Sequence, residues 1–404
     1  MDIETLIIGG GQAGLTMSHA LSKRGRPHLV LERGRIAERW RSERWDGLHF
    51  QTPNALVRLP DFPLVSDAPD SYATGAEIAA YLDAYAAFIR APIRCGVSVT
   101  ALRPGFVAET SAGLFRAANV VVATGPFQTP IIPSLLPETS SILQLHASAY
   151  KAQSALPEGA VLVVGAGASG AQIADELLRS GRRVFLSVGK HKRAPRRYRG
   201  QDHVWWWIET GMDQTPPERR PADRSPIVHT GAYGGYTMDF RNFARQGMVL
   251  LGRAQAAVDG VMGFAPDLLE NLAFGDAGYV RFMDFVDAHI ASNGLSFPRD
   301  PEARVISATP ASLEQPIRSL DLRADGIGTV IWATGYGLDF GWIDLPVLDA
   351  GGMPVHRLGV TAVPGLYFLG LPFLSKLSSV FLFGVGDDAA RLAGVIAAAS
   401  IALR

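Results

Sequence analysis

One cysteine, Cys95, stands among 404 residues, so an intramolecular disulfide, a cysteine-rich zinc site, an iron–sulfur cluster and a redox-active dithiol are all excluded. A lone thiol of this kind is expected in a core, as a small apolar side chain. Excess charge is also missing, because 38 Lys and Arg balance 38 Asp and Glu. No overall field draws the chain to nucleic acid or anionic lipid, and any polyanion site has to be local. Uncharged apolar runs of roughly 18 residues, the length of a membrane span, are absent; residues 392–403 read as a closing helix. The first apolar strand follows Met1 with no room for a signal peptide, so a cytoplasmic protein is expected. The histidines show no metal-ligand spacing, and no metal is expected. What is present is a globular composition, 48% hydrophobic and 19% charged, with length for two or three domains.

Near the N-terminus an apolar strand, Leu6–Ile8, runs into Gly9-Gly10-Gly11-Gln12-Ala13-Gly14 and then into a helix ending near Gly25. Gly9 permits the sharp turn, Gly11 lets backbone amides approach a pyrophosphate, and Gly14 packs helix against strand. The helix N-terminus supplies unpaired N–H groups and partial positive charge. A second strand, His28–Leu31, ends at Glu32, placed to bind a ribose 2′-hydroxyl and to repel a 2′-phosphate. FAD or NAD is expected there, not NADP. Arg33, Trp40, Arg41, His49, Gln51 and Thr52 follow as the chain passes the adenosine half and then the flavin ring, and Val99 joins this cofactor-binding set.

The same pattern recurs at Ala160–Arg183 with Gly165, Gly167, Ala168, Ser169 and Gly170. Its second strand ends in Ser187-Val188 with no carboxylate, followed by Lys190, Lys192, Arg193, Arg196 and Arg197. Basic side chains and a small hydroxyl suit a 2′-phosphate, so NADPH is favoured over NADH. Ala123-Thr124-Gly125 and Ala333-Thr334-Gly335 each end an apolar strand and are read as the two crossovers flanking an inserted NADPH domain.

These motifs resemble those of the flavin-containing monooxygenase family, including its plant YUCCA-type and bacterial flavoprotein relatives. The resemblance rests on GGGQAG, ERWR to LHFQTP, ATGPFQTPIIP, LHASAYK, GAGASG, IWATGY and PGLYFLG, and spans nearly the whole chain. It implies FAD on the first unit, NADPH on the second, and a flavin that delivers oxygen to a soft nucleophile. In the family's pattern His146 and Tyr150 match, whereas Ser140 and Ile142 stand where Phe and Gly belong. Tyr150 leans toward heteroatom oxygenation over Baeyer–Villiger insertion. By resemblance Gln51, with Thr52, is the catalytic candidate beside the flavin.

The expected fold is α/β with two Rossmann-like dinucleotide-binding domains, as in glutathione reductase-like flavoproteins. An FAD domain is expected at 1–153 and 323–404, an NADPH domain at 154–322, and an irregular aromatic insertion at about 196–247. Within that insertion Trp205-Trp206-Trp207 cannot all face inward on one strand, so at least one indole should line an interface, a pocket or a lid. Asp387 and Asp388 are read as ordinary first-turn residues of a C-terminal helix, the alternative being that its positive end is aimed at the flavin. Without a dithiol, electrons pass from NADPH through FAD to O2 by way of a C4a-hydroperoxide, or to a quinone or carrier protein. The expected function is an NADPH-dependent FAD monooxygenase acting on a small nitrogen- or sulfur-containing substrate, or on a carbonyl. The alternatives are an NAD(P)H:acceptor oxidoreductase and a non-catalytic redox-sensing flavoprotein. The partners are then a small molecule and O2, with a homodimer compatible and neither nucleic acid nor membrane expected.

Overall fold

The computed structural model describes residues 2–137 and 141–402; Ser140, one of the two departures from the family pattern, lies outside the described residues. Strand β1 (Asp2–Ile8) leads into helix α1 (Gln12–Ser22) and back to β2 (His28–Leu31), which pairs parallel with β1. Leu6, Ile7 and Ile8 are all buried. A parallel strand covered on both faces reads as such a continuous apolar run. Helix α2 (Gly75–Phe88), opened by a Thr74–Glu77 capping box, leads to the edge strand β3 (Ile93–Arg94) beside β2. A meander follows: β4 (Val99–Arg103), β5 (Val107–Thr110) and the long β6 (Gly113–Val122). The first half of β6 pairs antiparallel with β5, and its second half lies parallel to β1.

The second sheet is all parallel, in the order β7 (Leu143–His146), β11 (Ile327–Trp332), β8 (Ala160–Val164), β9 (Val184–Ser187), β10 (Val249–Leu251). Helix α3 (Ala168–Arg179) joins β8 to β9 and repeats the α1 arrangement. Strands β7 and β11 lie outside the expected 154–322 boundary, so the second unit reaches further at both ends than the glycine spacing suggested. Strand β12 (Leu366–Phe368) then returns to β6, and helix α6 (Val385–Ala402) packs on α1.

The two Ala-Thr-Gly segments do more than connect. Each ends a strand of its own sheet, and just beyond them Thr129–Pro130 pairs antiparallel with Tyr336–Gly337. The outgoing and returning crossovers are thus hydrogen-bonded to one another. Gln128 adds to this by donating to Thr124 Oγ1 at 3.0 Å and to the Gly125 carbonyl at 2.9 Å, while its oxygen accepts from the Asp339 amide at 2.7 Å.

Two sequence expectations fail for local reasons. Cys95 is exposed, not core, because it follows the edge strand β3 and precedes the left-handed turn at Gly96. The tryptophan triplet, expected in irregular chain, lies on helix α4 (His203–Glu209), whose N-terminus Asp202 caps by accepting from the Val204 amide at 2.8 Å. Successive helical positions send the indoles three ways: Trp206 is fully buried near Phe297, Trp207 faces Phe381 of the first unit, and Trp205 remains partly exposed. Helix α5 (Leu268–Ser292) closes the second unit through a nearly buried ionic quartet. In it Arg193 binds Asp276 at 2.9 Å and Asp239 at 3.1 Å, and Arg241 binds Asp276 at 2.8 Å.

Gly14→Ala is expected to cost at least ~2 kcal/mol, because its Cβ would lie 1.8 Å from the Gly9 carbonyl oxygen. Gly11→Ala, whose Cβ meets nothing within 4 Å, should leave the melting temperature of the cofactor-free chain unchanged. Asp276→Asn removes the carboxylate that two guanidinium groups share and should cost about 3 kcal/mol in chemical denaturation.

Candidate functional site

Helix α1 opens at Gly11 in extended conformation with no side-chain cap, so its first amides have no acceptor within the helix. The surrounding glycines divide into two kinds. A Cβ on Gly9 would lie 2.5 Å from the Ala123 carbonyl oxygen, so Gly9 and Gly14 are needed for chain packing. Gly11 faces open space, and beside it Ala13 is buried while the Gln12 amide reaches out to the Val380 carbonyl at 2.5 Å. Glu32 accepts from the Gly10 amide at 2.6 Å and the Gly34 amide at 2.8 Å. A carboxylate has about four lone-pair directions, so roughly two remain for a ribose. Open glycine, uncapped amides and an oriented carboxylate fit an FAD pyrophosphate and ribose. The Val97 amide bonds the Glu32 carbonyl at 2.9 Å, and the predicted Val99 lies further along in β4, half-buried.

Beyond the ribose the predicted residues spread along one arch. Arg33 is exposed, and Arg41 is drawn away to Asp83 of α2. Trp40 is half-buried, edge-on to Phe50 with ring centres 5.5 Å apart. The His49 ring bonds the Gly47 carbonyl at 3.1 Å, Thr52 is buried, and Gln51 gives its backbone carbonyl to Arg196 at 3.1 Å. Across from the arch, Gly370 packs on Ala13, and the segment 371–381 passes the mouth of α1 before α6 begins at Val385. Asp387 holds the buried Lys376 amine, and the fully buried Asp388 pairs with Arg391 at 2.7 Å. These two acids are therefore engaged in first-turn ion pairs.

The second cradle repeats the first bond for bond. Gly9 N donates to Leu31 O at 2.8 Å and Ala123 N to Ile8 O at 2.8 Å; Gly165 N donates to Ser187 O at 3.1 Å and Ala333 N to Val164 O at 2.8 Å. Gly170 sits on the Gly165 carbonyl as Gly14 does on Gly9, and α3 is likewise uncapped, with Ala168 half-buried and Ser169 exposed in its first turn. The His146 ring bonds the Gly335 carbonyl at 3.0 Å, and burial pulls its pKa down. Tyr150 donates to Glu176 of α3 at 2.7 Å, and burial pushes both groups toward their neutral forms. One contrast stands out: Gly11 is open, whereas a Cβ on Gly167 would lie 3.2 Å from Pro226.

The predicted 2′-phosphate set does not hold together. The Ser187 hydroxyl is buried, donating to the Gly252 carbonyl at 2.9 Å and accepting from the Ala254 amide at 3.0 Å. Arg193 is consumed by the Asp239–Asp276 quartet. Lys190 remains exposed, and Arg253, which the sequence reading missed, lies along Gly189 with its side chain 69% exposed and one nitrogen on Asp267. Nothing local in the sequence announced Arg253, because it arrives from the end of the neighbouring β10.

Sequence reading also missed a buried polar cluster between the cradles. His203 and His229 lie with ring centres 4.8 Å apart, flanked by Trp207 and Arg196. The His229 carbonyl accepts from Gln172 of α3 at 2.6 Å, and Trp207 meets Phe381, the neighbour of the Val380 that holds Gln12. Burial, then the Arg196 charge, depresses both imidazole pKa values well below the usual range. Both rings are therefore neutral at pH 7.

Residues 6–219 match the family described as pyridine nucleotide-disulphide oxidoreductase. An oxidoreductase described as CzcO-like from Geobacillus kaustophilus is 34% identical over 397 residues, covering 96% of this chain and 97% of that protein. A probable indole-3-pyruvate monooxygenase, YUCCA1 of Arabidopsis thaliana, is 34% identical over 198 residues, 45% of this chain and 46% of its own. A flavin-containing monooxygenase from Stenotrophomonas maltophilia shares the fold, with TM-score 0.67 at 18% identity over 99% of each chain. With its two glycine cradles, the chain belongs to the pyridine nucleotide-disulphide oxidoreductase family as a flavin monooxygenase-type flavoprotein, an oxidoreductase using FAD and NAD(P)H.

Proposed function

We propose that the protein is an NADPH-dependent FAD monooxygenase acting on a small organic substrate held between its two cradles. The observation behind this reading is the paired geometry: two uncapped helix N-termini, a carboxylate only beside the first, and hydrogen-bonded crossovers linking them. By strand membership the first unit, built around β1 and β6 and completed by β12, holds FAD; the unit built on β7 to β11 holds NADPH. FAD, when bound, accepts a hydride from the nicotinamide and passes the electrons to O2, so that one oxygen atom reaches the substrate.

The chain's own residues orient the groups and exclude water. The amides after Gly11 grip the pyrophosphate, and Glu32 fixes the ribose. Gln51 and Thr52 border the ring, with the Gln51 backbone pinned by the buried Arg196. Trp207 and Phe381 close the space on the far side, which keeps water from the reacting atoms. A dithiol relay has no residues to run on, because Cys95 is the single cysteine and it sits beyond Glu32, at the adenosine end. Selection of NADPH falls to Lys190 and Arg253, which replace the predicted Ser187 and Arg193.

Anaerobic mixing of the holoenzyme with NADPH should bleach the flavin, and oxygenated buffer should then restore it through an absorbance transient distinct from both oxidised and reduced FAD. Reoxidation without a transient, outpaced by added quinone, would replace this function by that of an acceptor reductase. Lys190→Ala should raise KM for NADPH about tenfold and leave NADH unaffected; equal changes for both would remove Lys190 from 2′-phosphate recognition. Cys95→Ser should leave NADPH oxidation unchanged, and a large loss would reopen thiol chemistry.

A further inference from the structure

The two cradles match bond for bond, but the first is open and the second is covered. Nothing lies within 4 Å of a Cβ built on Gly11, whereas one built on Gly167 would lie 3.2 and 3.3 Å from the Cγ and Cβ of Pro226. A dinucleotide pyrophosphate approaches this glycine because it lacks a side chain, so the proline ring occupies the room a phosphate needs. The covering segment, 221–226, is exposed along its length apart from the half-buried Ser225. It is anchored at both ends. Before it, the Arg220 guanidinium lies 4.8 Å from the centre of the Phe373 ring; after it, Val228 is buried and the His229 carbonyl accepts from Gln172 at 2.6 Å.

Between these anchors Lys192 holds the segment down. Its amide donates to the Pro226 carbonyl at 2.8 Å, and its amine reaches both the Asp223 carbonyl and the Asp223 carboxylate at 3.1 Å. The other carboxylate oxygen of Asp223 turns back on its own loop, accepting from the Ser225 amide at 3.0 Å and from the Ser225 hydroxyl at 2.6 Å. The Lys192 and Asp223 side chains are 32% and 38% exposed, and an ion pair so open to water is weak. The segment is thus fixed at its ends and only lightly fastened across its middle, where it crosses the cradle.

We propose that residues 221–226 are a flap closed over the second cradle until the dinucleotide arrives, with Lys192 and Asp223 as its latch and the pyrophosphate taking the place of Pro226. The proposal rests on the reading of this cradle as the NADPH site. Opening breaks the Lys192 bonds to Pro226 and Asp223, and it leaves the Lys192 ammonium unpaired beside the arriving phosphates. The affinity for the nucleotide is then its intrinsic affinity reduced by the fraction of molecules whose flap is open. The first cradle carries no such penalty, because nothing covers Gly11.

The test is hydrogen exchange, read amide by amide by mass spectrometry on the FAD-loaded full chain with and without saturating NADP+, beside a calorimetric titration of the nucleotide. Ligands ordinarily slow exchange where they bind; here the Lys192 amide should exchange about tenfold faster once NADP+ is seated, because its acceptor has left. Pro226→Gly keeps the carbonyl that Lys192 binds and removes the ring, and should tighten NADP+ about threefold. Asp223→Asn should tighten it similarly and raise Lys192 exchange even without nucleotide. Flavin content checks that each variant folds. NADP+ binding with the Lys192 amide slowed or unmoved, or with Pro226→Gly no tighter than wild type, would overturn the flap and leave the NADPH reading standing. No NADP+ binding at all in the titration would overturn the NADPH reading, and the flap with it.

Discussion

Everything functional here hangs on backbone packed against backbone without a side chain between. Gly14 and Gly170 each sit where a Cβ would fall 1.8 Å from the carbonyl oxygen of the glycine that opens the turn. Those opening glycines in turn lie against the carbonyls of Ala123 and Ala333. This three-layer contact forces helix and strand together and leaves the first helical amides uncapped, aimed out of the sheet edge. Because the same contact is built twice and the crossovers after Gly125 and Gly335 are bonded together, fixing either cradle constrains the other. The spacing of the two cradles is thus set by secondary structure, not by flexible side chains.

Features governed by local rules were legible in the sequence. Both strand–glycine–helix units, Glu32 as the carboxylate after β2, the buried strand Leu366–Phe368 and the closing helix all follow from spacing and apolar runs within a few residues. The unit boundary was not legible. Strand β7 looks like a continuation of the first domain until it pairs with β11, far away in the chain, and parallel pairing leaves no local signature.

The charged residues after β9 show how a compositional reading fails. A run with Lys190, Lys192, Arg193, Arg196 and Arg197 looks like a phosphate patch, yet the fold shares it among separate duties. Arg193 neutralises Asp239 and Asp276, Lys192 pairs with Asp223 at 3.1 Å, and Arg196 braces Gln51 and Asp202. Sequence fixes how many positive charges are available; only the acids the fold brings near, Asp202, Asp223, Asp239 and Asp276, decide which remain free. Arg253, absent from that run, takes a place beside Gly189 because β10 lies next to β9.

The insertion's aromatic content follows from the same logic. Between the two glycine cradles the insertion buries aromatic side chains against both units. Helix α4 turns Trp207 toward Phe381 and Trp206 toward Phe297, and residues 226–231 pack beside it, with His229 against His203 and Trp207. Polar atoms placed in such surroundings carry a desolvation cost, which for His203 and His229 takes the form of imidazoles held neutral. The duplicated cradles thus follow from glycine spacing, whereas the insertion is built from aromatic and polar contacts between segments far apart in the chain.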